Sequence, residues 1–150
     1  MLFRSRNIAQ KERSPLIQLT TASTRLGDIV SDSYSLATDD IARYGFAVAH
    51  ALGEGPGVTD LSSEEQEDVA HIAGLLREAK RPLIVSGSGS QSVAVVEAAR
   101  ALAQALQQHN GETRVVYAVP ESNTLGLALL DSAELSLAEL VEQGGRGEID

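Results

Sequence analysis

The sequence predicts an α/β fold of three layers, in which helices flank a mostly parallel, Rossmann-like sheet. Three observations carry that expectation. The stretch RPLIVSGSGSQSVAVVEAARALAQALQQHN, residues 81–110, reads as one strand, one glycine turn and one helix. A second apolar run, TRVVYAV at 113–119, follows it after Asn110 and Gly111. A strand feeding a helix that feeds a strand is a βαβ unit, and its two strands lie parallel. The third observation is compositional. Only 3% of the 150 residues are aromatic while 43% are hydrophobic, so small aliphatic side chains must do the packing, as in Ala-rich helices lying close on a sheet.

The elements follow in order. Residues 1–14 carry Arg4, Arg6, Lys11 and Arg13 with little apolar periodicity, and read as a mobile basic arm or an arbitrary start. Residues 15–150 read as a single α/β domain. PLIQLT at 15–20 suits a first strand, with 21–24 as its turn, and 25–37 is weakly patterned. Thr38, Asp39 and Asp40 mark a helix start, followed by an apolar stripe of Ile41, Tyr44, Gly45, Val48 and Leu52 that stops at Gly53. GEGPGVTD at 53–60 is a linker, since Gly and Pro deny it regular structure.

Ser62 with Glu65 forms a capping-box signature for the next helix, whose buried stripe is Val69, Ile72, Ala73 and Leu76. Acidic residues open this helix and Arg77, Lys80 and Arg81 close it, as the macrodipole favours. A strand is predicted over 82–86, where Ile84 and Val85 are β-branched. Val95, Ala98, Ala99, Leu102 and Leu106 then recur at helical spacing. The strand over 113–119 ends at Pro120. Short helices suit 122–130 and 136–142, and the GGRGE segment should break the chain again.

Composition narrows the function classes. With no cysteine, the chain has no disulfide, no thiolate nucleophile and no cysteine ligands for zinc or iron-sulfur clusters. A formal charge of −9 argues against nucleic acid as a partner, because phosphate contacts need clustered Lys and Arg. No apolar stretch approaches the roughly 20 residues that a membrane-spanning helix needs, so no direct membrane insertion is expected.

The most inviting site is the glycine turn GSGSQS, from Gly87 to Ser92, where backbone N–H groups at a helix start could bind a phosphate. The dinucleotide fingerprint fails at Ser92, where its third glycine belongs, and a P-loop lysine is absent. Glu121, just past the second strand, stands where a ribose-binding acid could be. The competing reading is that small residues let the strand turn tightly into its helix. Ser86, Ser88 and Ser90 sit at an elbow-like turn without the G-x-S-x-G pattern. His50, His71 and His109 lack ligand spacing, and the carboxylates Asp39/Asp40 and the acidic turn from Glu64 to Asp68 belong to helix starts. No catalytic, cofactor-binding or metal-binding residue is assigned on these grounds.

Three segments in order resemble one family: TTASTRLGDIV with DDIARYGFAVAHAL, then LREAKRPLIVSGSGSQS, then VVYAVPESNTLGLALL. Together they resemble the C-terminal part of the G subunit of bacterial NADH-quinone oxidoreductase, respiratory complex I, within the molybdopterin oxidoreductase superfamily. The resemblance spans roughly residues 20–150. It implies that a capped helix leads through an Arg-Pro pair into a buried strand with a glycine turn, which corresponds to the stretch from Ser62 to Gly89. Molybdenum enzymes hold a pterin dinucleotide on such turns. The G subunit is understood to keep the fold without that cofactor, so no cofactor role is carried onto Gly87, Ser88 or Asn123.

The resemblance further implies iron-sulfur clusters elsewhere in the parent protein, held by cysteines that this chain lacks. The expected function is a structural domain scaffolding the peripheral arm that carries electrons from NADH to quinone, with no electron carrier and no catalysis of its own. The expected partners are the other subunits of complex I, on the cytoplasmic side and peripheral to the inner membrane. A further apolar strand would continue from Glu148-Ile149-Asp150, so an exposed sheet edge and a homodimer through it are also expected. The alternative function is a free-standing nucleotide-binding module using the turn from Gly87 to Ser92.

Overall fold

The structure is a computed structural model that describes residues 15–130 and 137–147. The basic arm at 1–14, the helix start at Ser136 and the strand expected after Glu148 lie outside the described residues. The chain divides into two compact units, the first closing at Ala118 and the second opening at Val119.

The first unit is α/β with parallel strands, as the βαβ pattern predicts. In order it contains β1 (Ile17–Thr20), β2 (Asp32–Ser35), α1 (Thr38–Ala51), α2 (Ser63–Glu78), β3 (Leu83–Gly87), a 3₁₀ turn (Ser88–Ser90), α3 (Val93–Asn110) and β4 (Arg114–Ala118). The strands form two separate two-stranded parallel sheets. In one, Ile17 of β1 lies opposite Asp32 of β2; in the other, Leu83 of β3 lies opposite Arg114 and Gly87 opposite Ala118 of β4. Helix α3 is the crossover that makes β3 and β4 parallel.

Strand β2 falls in the weakly patterned stretch at 25–37. Its alternation is present but muted: Asp32 and Tyr34 are partly buried and Ser33 and Ser35 exposed. Tyr34 is the one large apolar-bodied side chain in those four residues, so the period-2 signal is faint even though the backbone pairs along its whole length.

Helix α1 starts one residue earlier than a Thr38 cap would have it. Ala37 takes the N-cap position in an extended conformation with no side-chain cap, and Asp39 and Asp40 in the first turn meet the positive end of the dipole. Helix α2 carries the predicted capping box in full. The Ser62 hydroxyl accepts from the Glu65 N–H at 3.2 Å, and the Ser62 N–H donates to the Glu65 carboxylate at 2.7 Å. Helix α3 is capped by Ser92, and it ends at Gly111, whose φ of 68° places it in the left-handed region that glycine adopts without steric cost.

The core is the junction of the three helices. Tyr44, Val48 and Leu52 of α1 and its end meet Val69, Ile72 and Ala73 of α2 and Ala105 and Leu106 of α3. Ile17, Leu19 and Tyr34 pack against this cluster from one sheet and Ile84 from the other. Alanines let α1 and α3 approach closely. Ala49 of α1 and Ala98 and Ala101 of α3 are all buried, and Ala98 faces Gly45 of α1, which is the packing style that the scarcity of aromatics requires.

In the second unit, α4 (Thr124–Leu130) opens with a turn in which the Thr124 N–H donates to the Glu121 carbonyl at 3.3 Å. Helix α5 (Leu137–Gly145) runs further than 136–142. Gly144 and Gly145 are helical, the break comes at Gly147 with φ 70°, and an i,i+4 ion pair between Glu142 and Arg146 closes the last turn.

Candidate functional site

The glycine turn after β3 is the site that the sequence marks most clearly. Gly87 ends the strand in an extended conformation directly opposite Ala118. A Cβ built on Gly87 would lie 2.1 Å from the Ala118 carbonyl oxygen, so glycine is required there by the approach of the β4 backbone. Gly89 differs, because a Cβ there would meet nothing within 4 Å. Gln91 follows at φ 53°, a left-handed position held by a non-glycine residue, and its N–H donates to the Ser88 carbonyl at 2.9 Å.

Helix α3 begins at once. The Ser92 hydroxyl accepts from the Val95 N–H at 3.4 Å, so one of the N–H groups that a phosphate would need is already engaged. The Ser90 hydroxyl is buried without a hydrogen-bond partner. The loop thus uses its backbone groups to turn a strand into a helix under a neighbouring strand. Glu121, the candidate ribose acid, belongs to the second unit, where its carbonyl closes the turn before α4.

The histidines are each tied to a local structural partner. His50 Nδ1 lies 3.3 Å from the Gly55 carbonyl, His109 Nε2 lies 2.7 Å from the Leu52 carbonyl, and His71 Nε2 lies 3.4 Å from the Asp32 carboxylate. These contacts tie the linker, α3 and β2 to their neighbours. A shallow depression of about 210 Å³ lies between α1, the linker and α2, lined by Ala47, His50, Val58, Leu61, Gln66 and Val69. It is smaller than the roughly 300–1,000 Å³ of small-molecule sites. Its amide group, Gln66 Nε2, donates to the Leu61 carbonyl at 2.9 Å.

Among the described residues, the densest polar cluster centres on Arg43, a residue that the sequence did not single out. Arg43 of α1 reaches Asp40 at 3.1 Å, donates to the Asp60 carbonyl at 3.2 Å and pairs with Glu65, the same carboxylate that completes the α2 capping box. The Ser62 backbone N–H, then the Ser62 hydroxyl and Arg43, outweigh burial and hold the Glu65 carboxyl below the usual glutamate range. Beside it, the rings of Tyr34 and Tyr44 meet in a tilted arrangement, with centroids 6.1 Å apart and planes at 45°. Burial raises both phenols above their ordinary value, and the Asp68 charge adds to it. This cluster ties the first two turns of α1, through Asp40 and Arg43, to the first turn of α2, through Glu65. Its chemistry is that of a latch.

Fold and loop together define an α/β domain whose nucleotide-type turn is given over to backbone packing. No protein-family model matches the chain. It is similar to one stretch of the G subunit of NADH-quinone oxidoreductase from several bacteria. Identity is 40% over 137 residues in Shewanella oneidensis, which is 91% of this chain and 15% of the relative. It is 40% over 140 residues in Pseudomonas fluorescens, 91% of this chain and 16% of the relative. In Escherichia coli K12 it is 34% over 143 residues, 95% of this chain and 16% of the relative. The chain is homologous to a segment of that G subunit, and it spans about a sixth of the length of these relatives.

Proposed function

We propose that the chain is a structural α/β domain of the G subunit of an NADH:quinone oxidoreductase, scaffolding the peripheral arm while the electron carriers reside elsewhere. The observation that carries this reading is homology at 34–40% identity over about nine-tenths of the chain to proteins named for that subunit. The chemistry of the chain agrees with it. Iron-sulfur clusters are held by cysteine thiolates and this chain has none, while the glycine turn is committed to strand and helix contacts. Among the described residues no helix is long and apolar enough to cross a membrane. In this reading the domain is peripheral to the inner membrane, on the cytoplasmic side. Its partners in this reading are the other subunits of the complex.

The test is purification of the oxidoreductase that contains the chain, with iron, sulfide and NADH oxidation measured on the chain alone. The reading expects co-purification, no stoichiometric iron or sulfide on the isolated chain and no NADH oxidation by it. Absence of the chain from the complex, or a cluster bound to the chain alone, overturns it. The isolated chain also presents strand edges, because β1, β2, β3 and β4 each pair on one side only among the described residues. Strand addition between copies is the expected form of any homodimer. Sedimentation over a range of concentrations decides whether it occurs.

A further inference from the structure

The linker between α1 and α2 is held to the helices by side chains. Among the described residues no backbone–backbone hydrogen bond involves residues 55–61. Side chains of the two helices reach its carbonyls instead. His50 Nδ1 of α1 lies 3.3 Å from the Gly55 carbonyl, Arg43 of α1 donates to the Asp60 carbonyl at 3.2 Å, and the Gln66 amide of α2 donates to the Leu61 carbonyl at 2.9 Å. Val58 and Leu61 point inward, where they pack, partly buried, against the helical core. They also form one wall of the depression of about 210 Å³, whose other walls include Ala47 of α1 and Val69 of α2, both buried. Space left beside Val58 and Leu61 means fewer dispersion contacts than a close-packed core would give them. Asp60, at φ 67°, takes a left-handed conformation that a non-glycine residue adopts less readily, and its carbonyl is the one that Arg43 holds. The same guanidinium pairs with Glu65, so the end of the linker and both helices meet at a single side chain.

We propose that residues 55–61 form a strap that opens as a unit while the three-helix core stays folded, and that Arg43 is the catch that keeps it shut. The strap is a property of the fold and does not depend on the function proposed above. Opening lifts Val58 and Leu61 and uncovers Ala47 and Val69, so that the depression becomes an apolar groove between α1 and α2. The strap leaves α1 through Gly53 and Gly55, at φ 104° and 85°, and these two residues are its hinge. Local opening is the favoured motion because it breaks a few side-chain hydrogen bonds and two partly buried apolar contacts, whereas unfolding dismantles the whole junction of the helices.

Because the chain has no cysteine, a single introduced thiol reports on the opening. Val69→Cys lines the depression, and Val48→Cys, in the same core cluster but away from the depression, is the control. Maleimide labelling of each whole chain is timed at urea concentrations below the unfolding midpoint. The thiol at 69 should react at least about tenfold faster than the thiol at 48, as for a site that a local opening reaches. Its rate should also change little with urea, because strap opening exposes little surface, while the rate at 48 should climb steeply as the core unfolds. Equal rates with the same urea dependence overturn the strap. Ala47→Cys, on the α1 wall, repeats the measurement if Val69→Cys does not fold, and its outcomes are read in the same way. In the Val69→Cys chain, Arg43→Gln should speed labelling by about fivefold or more, as the loss of one or two hydrogen bonds implies, and should speed labelling at 48 less. An equal acceleration at both positions overturns the role of Arg43 as the catch, because the residue then acts on the stability of the whole core.

Discussion

A Cβ built on Gly45 of α1 falls 2.9 Å from the Cβ of Ala98 on α3. At that separation one of the two helices must shift, so the glycine sets how closely the pair packs. Gly45→Ala sets two effects against each other. Alanine gains about 0.8–1 kcal/mol of helix propensity, while overpacking a tight contact costs about 1–3 kcal/mol. The clash wins, and the variant should be less stable in urea unfolding. Ala98→Gly in the same chain should recover part of the loss, giving a non-additive double-mutant cycle.

Gly74, inside α2, is the contrasting case, because a Cβ there meets nothing within 4 Å. Gly74→Ala should therefore raise stability by about 0.5–1 kcal/mol through the helix-propensity gain alone. A loss of stability in the same assay would mean that space at this position is needed for something outside the chain.

The two glycines of the turn after β3 separate a packing role from a phosphate-binding one. Gly87→Ala drives a methyl into the Ala118 carbonyl and should destabilise the domain, whereas Gly89→Ala should be silent. Thermal unfolding should not respond to adenine or guanine nucleotides in any of these chains. A ligand present at a hundred times its Kd would add about 2.7 kcal/mol, so a clear nucleotide-dependent rise in Tm in the parent chain, lost in Gly89→Ala, would restore the phosphate-loop reading.

Ser62 and Glu65 tie acid stability to the α2 cap. The Glu65 pKa is lower folded than unfolded, so its contribution is present above the ordinary glutamate pKa and is lost as the pH falls through the folded value. Stability should decline on acidification below that ordinary value, and Glu65→Gln should flatten this part of the profile. Ser62→Ala should cost about 1 kcal/mol at neutral pH through the lost cap. The tyrosines act at the other extreme. The pKa values of Tyr34 and Tyr44 are raised, so stability should hold below the ordinary tyrosine value and fall as the pH climbs through the folded values. Tyr44→Phe should lessen that alkaline loss.

Leu106 is fully buried at the junction of the three helices. Leu106→Ala should cost about 2–5 kcal/mol, the range for a core leucine whose cavity cannot collapse. A much smaller cost by urea denaturation would show that the Ala-rich surroundings close around the gap.

Much of this molecule is decided locally, and the sequence by itself determined those parts. The α2 capping box needs only residues three apart, the stripe on α3 needs only helical spacing, and Gly111 stops a helix through its own freedom at φ 68°. Such features lie within one or two turns of chain, where residue type and spacing carry the physics. Strand β2 is faint in the sequence because a single tyrosine carries its inward face, and its partner is set by pairing with β1 across the intervening turn. Arg43 meets Glu65 across 22 positions, and Gly45 meets Ala98 across 53, distances at which no local pattern records the contact. The role of Gly87 belongs to the same group. Its type suggests a phosphate loop, and only the approach of the Ala118 carbonyl in the folded chain shows that the space a side chain would need is already filled by backbone. Local sequence sets which elements form; long-range packing decides which of their residues are free to bind anything.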